Sequence, residues 1–189
     1  GVEPSKNVAN LANENKIPTI NNFFNVDTAR NLGDFLRKTD LICASNVICH
    51  VPNLNNLIQA VDLLLSDNGT FIFEEPYIGS MFEKVSYDQI YDEHVYMFSA
   101  SSVSKIFEKF DFILVDVIPQ VTHGGSMRYV IKRKKNEQLV SVKKLLEIEE
   151  EKKLNKIESC FAFKKKCEIS RDKIINNIKN FKDSGKSIC

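Results

Sequence analysis

The sequence predicts an α/β protein: a Rossmann-like, doubly wound, mostly parallel sheet, incomplete at its start, with a terminal antiparallel hairpin and a long carboxyl-terminal helix after it. Three observations predict it. Apolar runs of strand length at 17–20, 41–44, 70–73 and 112–118 alternate with stretches whose apolar residues recur at helical spacing. The strand exits carry polar and imidazole side chains, and open parallel sheets bind ligands at such exits. From residue 137 to 182 neither proline nor glycine interrupts a helical pattern.

Gly1-Val2-Glu3-Pro4-Ser5 reads as a strand ending at a helix start, with Ser5 as candidate cap. Helix is expected over 6–15, with Val8, Leu11 and Ala12 on one face, then a short strand over 17–20 and a loop over 21–25. Asp27 or Thr28 is the candidate cap of a helix to about Lys38, with Ala29, Leu32, Phe35 and Leu36 inward. The run 41–44 reads as a buried parallel-type strand, and a helix over 54–65 follows. Ser66 to Gly69 is expected to turn into the strand 70–73, whose exit is Glu74-Glu75-Pro76-Tyr77. Residues 78–97 read as an irregular insertion with some helix. Ser99 or Ser101 caps a helix to Phe110, and strands over 112–118 and 126–132 form the hairpin. The stretch 137–182 reads as one long helix or two abutting ones, and 185–189 as a turn into a further strand. The expected division is a partial domain over 1–133, lacking its first strand and glycine loop, and a basic helical segment over 134–189 leading to a truncated carboxyl-terminal domain.

A chain of 189 residues can bury one sizeable core and part of a second unit. At 43% hydrophobic and 27% charged, it has the composition of an ordinary soluble protein. No apolar run approaches the ~20 residues that span a bilayer, and no signal peptide opens the chain, so no membrane partner and a cytoplasmic location are expected. The five cysteines form no CxxC pair and are odd in number, which points to buried or incidental free thiols. Net charge is +1, yet residues 132–182 hold 16 Lys and Arg against 8 Asp and Glu. Such a segment suits a nucleic acid or a nucleotide diphosphate. Interspersed acids and the absence of a nucleic-acid motif favour a solvated helix, so no nucleic-acid partner is expected.

Only three histidines occur: His50, His94 and His123, each at a strand-to-loop transition. Tyr91-Asp92-Glu93-His94 sets a phenol, carboxylates and an imidazole side by side, the side-chain types that move protons near neutral pH. In extended backbone Tyr91 and Glu93 share a side; in a helical turn Tyr91 and His94 do. The alternative is a surface loop. Asn46 and His50 flank a strand exit, where a lone histidine equally serves as a cap or satisfies a carbonyl. Glu3, at another strand end, suits the two hydroxyls of a ribose, or simply a helix N-terminus. His123-Gly124-Gly125-Ser126 reads first as a tight hairpin whose glycines supply positive φ, with His123 a modest candidate for lining a pocket. No HExxH, CxxC or GxSxG pattern is present, so no metal site is expected among these residues.

Taken together, Gly1–Ser5, 44–54 and the 65–74 turn-and-strand resemble class I S-adenosylmethionine-dependent methyltransferases. In that turn Asn68 replaces the commoner glycine. Glu75-Pro76-Tyr77, Tyr91-Asp92-Glu93-His94 with Phe98-Ser99, and His123-Gly124-Gly125-Ser126-Met127-Arg128 resemble the sugar C-methyltransferase subgroup, which has His where Asp92 stands. The resemblance implies S-adenosyl-L-methionine as cofactor and a nucleotide-linked keto-deoxysugar as small-molecule substrate, methylated on carbon through an enolate. It implies that Glu3 holds the cofactor ribose, Phe24 lies near the adenine and Asn46 lines the methionine side. His50, Tyr91, Glu93 and His94 match the substrate-facing polar residues, with His94 or Tyr91 as base, and Tyr77 and His123 join the substrate side. The subgroup's zinc belongs to an amino-terminal cysteine cluster that these residues lack, and the glycine-rich cofactor loop that should follow the first strand is expected upstream of Gly1, so weak cofactor binding and little or no activity are expected of this stretch alone. The alternatives are an O- or N-methyltransferase of another small molecule, or a non-catalytic binding or oligomerisation module.

Overall fold

The computed structural model describes residues 1–36 and 39–187; the expected helix end near Lys38, the side chains of Phe35 and Leu36, and Cys189 lie outside the described residues. Helices α1 (Lys6–Glu14) and α2 (Val26–Leu36) precede strand β1 (Thr39–Ser45). Then come α3 (Leu54–Leu64), β2 (Leu65–Pro76), α4 (Ile78–Lys84), α5 (Ala100–Glu108), β3 (Phe112–Gln120), β4 (Ser126–Arg133), α6 (Val140–Glu151) and α7 (Ile157–Asp183). The sheet has four strands in the order β1-β2-β4-β3. β1 and β2 run parallel, whereas β4 pairs antiparallel with both β2 and β3. The α/β class and the closing hairpin are as expected, and within the described sheet parallel pairing is confined to β1 and β2. Among the described residues no helix is long and apolar enough to cross a membrane.

The local chemistry of several elements differs from the expectation. Ser5 makes no side-chain cap; instead Glu3 Oε1 accepts from the Ser5 amide at 2.7 Å and holds the start of α1. The cap of α2 is Asn25, whose Oδ1 accepts from Thr28 N at 2.9 Å, not Asp27 or Thr28. Thr28 turns its hydroxyl back to Phe23 O instead. The expected strand over 17–20 contracts to one parallel bridge, Val2 to Ile20, outside the four-stranded sheet. β1 is not a fully buried strand: it is the edge of the sheet, and Leu41 is 54% exposed. The turn expected at Ser66–Gly69 lies inside β2. Between the pairs Thr39/Leu65 and Leu41/Thr70, β1 advances by two residues and β2 by five, so the turn residues are the excess chain of an irregular strand. Ser99 is the cap of α5, and it exchanges hydrogen bonds with Ser102 in a reciprocal box.

The core sits between the sheet and helices α3, α5 and α6. Phe71 and Phe73 stack at 5.4 Å, and Tyr129 stacks on Phe73 at 4.9 Å. Phe107 of α5 closes over Phe73 at 5.7 Å. The stretch 137–182 resolves into two helices, and Lys153 between them adopts positive φ. α6 belongs to the core: Val142 is fully buried, and Leu139 N donates to Val115 O at 2.9 Å. Its Glu149, only 3% exposed, accepts from Tyr77 Oη (3.1 Å) and from the first amides of α5, Ala100 N (2.7 Å) and Ser101 N (2.9 Å). A buried carboxylate is tolerated here because three donors and the positive end of a helix meet it. α7 docks through Phe163, stacked on Phe82 at 4.6 Å, while Phe161, Ile169 and Phe181 remain exposed.

Candidate active site

Three segments far apart in sequence meet at the exits of β1 and β2. After β1 the chain turns through Asn46, in positive φ, into a short 3₁₀ turn, Ile48–His50. Glu75 fixes that turn. Side chains alternate along a strand, so Glu75 of β2 points to the same face as Phe71 and Phe73 and is wholly buried. Its Oε1 accepts from Val47 N at 3.0 Å and Ile48 N at 2.6 Å. Those two bonds aim the following residues, Cys49 and His50, out of the sheet end. Burial, then the Glu75 carboxylate beside it, pushes the Cys49 thiol well above its ordinary value.

The insertion folds over this turn on main-chain ties. Cys49 O accepts from Val95 N (2.9 Å) and Tyr96 N (3.3 Å), and Tyr96 Oη donates to Pro52 O at 2.7 Å. His50 Nδ1 lies 2.8 Å from Glu93 O, and His94 Nδ1 lies 2.9 Å from Gln89 O. A carbonyl only accepts, so each Nδ1 carries the proton, and in the neutral ring each Nε2 holds a lone pair. The lone pair of His94 accepts from Tyr91 Oη at 2.7 Å, and the Tyr91 and His94 rings meet at a tilt with centroids 4.0 Å apart. The centroids of His50 and His94 are 5.0 Å apart. The Tyr91 phenol is shifted above its usual range by partial desolvation, with Cys49 and Glu93 adding to it, so at neutral pH it stays a donor.

His50 also borders a cleft of about 1210 Å³. Glu3, Phe24 and Asn46 line the same cleft, together with the edge strand's Leu41 and Ala44. The lining is mostly apolar with few polar groups, as ligand sites are. One of those polar groups is unsatisfied: Asn46 Oδ1 is buried without a hydrogen-bond partner. A buried orphan acceptor costs about 1–3 kcal/mol and invites a donor such as an ammonium. Glu3 spends Oε1 on Ser5 N, and its second oxygen can meet a hydroxyl. The donor set and dimensions fit S-adenosylmethionine.

Sequence-predicted site residues therefore fall into two groups. His50, Tyr91 and His94 come together, and Glu3, Phe24 and Asn46 share the adjoining cleft. Glu93 is drawn in through its carbonyl, while its carboxylate side is exposed. Tyr77 is a core residue, 8% exposed, with its hydroxyl on Glu149, and burial lifts its phenol far above the usual range. His123 sits in left-handed backbone on an exposed turn beside Gly124, whose carbonyl accepts from Lys84. Cys49 is a buried free thiol, one of the two readings expected of the cysteines, but its place beside the imidazoles was missed, as was Glu75, whose period of two with Phe71 and Phe73 was the available signal.

Comparison with known proteins agrees with the fold. Residues 1–117 match a methyltransferase domain, and residues 121–189 match a C-methyltransferase C-terminal domain. The chain is 29% identical over 127 residues to the C-methyltransferase NovU of Streptomyces niveus, covering 67% of this chain and about 30% of that protein's length. In fold it is similar to a SAM-dependent methyltransferase from Anabaena variabilis (TM-score 0.52, 16% identity, 70% of this chain and 67% of that one). It is also similar to one from Thermotoga maritima (TM-score 0.51, 18% identity, 71% and 72%). The chain belongs to the class I S-adenosylmethionine-dependent methyltransferases.

Proposed function

We propose that this chain is part of an enzyme that removes a proton from the carbon beside a ketone of a nucleotide-linked keto-deoxysugar and methylates that carbon. The observation that carries the reading is the Tyr91–His94–His50 cluster, which meets the cleft lined by Glu3, Phe24 and Asn46 through His50. A methyl acceptor that is already a nucleophilic oxygen or nitrogen needs less base catalysis; a carbon acid needs a positioned base. Residues 1–133 then carry the cleft and the base, and 134–189 lead into a carboxyl-terminal domain.

S-adenosylmethionine, when bound, supplies an electrophilic sulfonium methyl group. Glu3 accepts from the ribose hydroxyls, Phe24 borders the adenine, and Asn46 Oδ1 accepts from the ammonium. Tyr91 and His94 work as one proton acceptor. The substrate C–H proton passes to the Tyr91 oxygen as the phenol's own proton crosses the 2.7 Å hydrogen bond to His94 Nε2. The C–H electron pair stays with the substrate as an enolate. The imidazolium so formed keeps its other proton on Gln89 O. His50 in its neutral tautomer offers only a lone pair at Nε2, so it stabilises the enolate oxygen as an imidazolium, tethered by Glu93 O. Glu93 positions that ring through its main chain, and His123 serves the outer rim of the sugar site. Tyr77 takes no part in this scheme, since its hydroxyl is committed to Glu149.

The test is solvent deuterium exchange at the substrate carbon, followed by mass spectrometry in the full-length enzyme. Exchange that is lost in His94→Ala, with cofactor affinity retained, is the expected result. Methyl transfer to oxygen or nitrogen with no exchange at carbon would replace this reading with an O- or N-methyltransferase.

A further inference from the structure

Cys49 lies against the two imidazoles, and its sulfur and one ring nitrogen of each of His50 and His94 all fall within 4.8 Å of one another. The hydrogen bonds already made leave the correct lone pairs. His50 and His94 each give Nδ1–H to a main-chain carbonyl, of Glu93 and Gln89, so Nε2 is the basic nitrogen on both rings. Metal-ligating histidines are held in this way, with the second nitrogen donating to a carbonyl or carboxylate that fixes tautomer and ring orientation. A tetrahedral Zn²⁺ has bonds of about 2.0–2.1 Å to nitrogen and about 2.3 Å to sulfur, which sets its donors roughly 3.3–3.6 Å apart. Donors within 4.8 Å of one another stand at most roughly 1.2–1.5 Å from that spacing, a distance side-chain rotation covers.

The donor types narrow the ion. One sulfur with two imidazole nitrogens suits zinc and its late first-row neighbours and disfavours magnesium and calcium, which take oxygen. We propose that Cys49, His50 and His94 form a three-ligand Zn²⁺ site, with the fourth position left to water or the Tyr91 oxygen. Three protein ligands with an open fourth place is the pattern of a reactive rather than a purely structural zinc. The ion displaces the thiol proton of Cys49. It also takes the Nε2 lone pair that Tyr91 now occupies, so metal binding and the 2.7 Å Tyr91–His94 hydrogen bond exclude each other. The site is a property of the cluster and does not rest on which substrate the enzyme methylates.

Cobalt titration of the 189-residue chain tests it. Co²⁺ should bind one to one, with a thiolate-to-cobalt charge-transfer band in the near ultraviolet that Zn²⁺ then abolishes. Cys49→Ser should remove the band, and His50→Ala and His94→Ala should each weaken binding roughly tenfold or more. A variant with Cys43, Cys160, Cys167 and Cys189 all changed to Ser should keep the band. Circular dichroism of each variant checks the fold; Cys49→Ala replaces Cys49→Ser if the latter unfolds, and the half-buried histidines decide the matter if both do. Absence of the band in the parent chain overturns the proposal. So does its survival in the Cys49 variants, its loss when the other cysteines are changed, or unchanged affinity in both histidine variants.

Discussion

Replacing Glu149 with Ala should be among the most damaging single changes in this chain, and the reason is local. Glu149 is the acceptor for two main-chain amides at the start of α5 and for the hydroxyl of Tyr77, in a setting only 3% exposed. A hydrogen bond to a charged group contributes about 1.5–3 kcal/mol, and each buried donor left unmade costs about 1–3 kcal/mol. The three do not add fully, because water enters the space left by the side chain and the cost of holding a buried charge disappears. About 3–4 kcal/mol remains, near the cost of breaking a buried charged pair. Glu149→Gln keeps one accepting oxygen and should lose about half as much. With a urea dependence of about 2 kcal/mol/M, Glu149→Ala should move the unfolding midpoint down by about 1.5–2 M. The assay is equilibrium urea unfolding followed by circular dichroism. A shift below about 0.3 M would refute the assignment of Glu149 as the clasp between α6 and α5.

Other expectations follow from the site. Tyr91→Phe keeps the ring contact with His94 but removes the shared proton, so carbon exchange should fall by roughly 10²-fold with cofactor affinity within about twofold, measured by deuterium incorporation and calorimetry. Glu93→Gln retains the carbonyl that holds His50, so exchange should stay within about threefold of the parent. Asn46→Gly preserves the positive-φ backbone and deletes the orphaned oxygen; cofactor binding should weaken by roughly 5–10-fold in a calorimetric titration, the worth of one hydrogen bond. Phe163→Ala removes the stack on Phe82, and hydrogen exchange along α7 should accelerate while β2 and β4 keep their protection.

The fold class was legible because it rests on periodicity. Alternating strand and helix runs, the closing hairpin, and the Ser99 cap all follow from residues within a dozen positions of one another. What the sequence misjudged depends on neighbours. The run 41–44 is apolar enough for a central strand, yet β1 stands at the sheet edge. Ser66–Gly69 has turn chemistry, yet pairing on either side draws it into β2. Asn25 caps α2 in place of Asp27 or Thr28 because the helix begins at Val26, two or three residues earlier than either of those caps implies. At the site, the adjacency of Tyr91 and His94 was visible as a spacing of three, and their approach to His50 followed from both lying at strand exits. Cys49 was invisible as a partner because His94 stands 45 residues further on. Tyr77 misled for the opposite reason: a polar aromatic at a strand exit looks available, and only the distant Glu149 claims it.

The imidazoles are steered by carbonyls of residues 89 and 93, and the loop bearing them is sewn down by the amides of Val95 and Tyr96. Main-chain atoms are common to every amino acid, so side chains at 89, 93 and 95 are free to drift while the rings keep their aim. What this stretch does not tolerate is proline at 95 or 96, which deletes a stitch, or an inserted residue, which shifts every carbonyl out of step. Side-chain changes along this lip of the cavity therefore leave the Tyr91–His94 hydrogen bond beneath it in place.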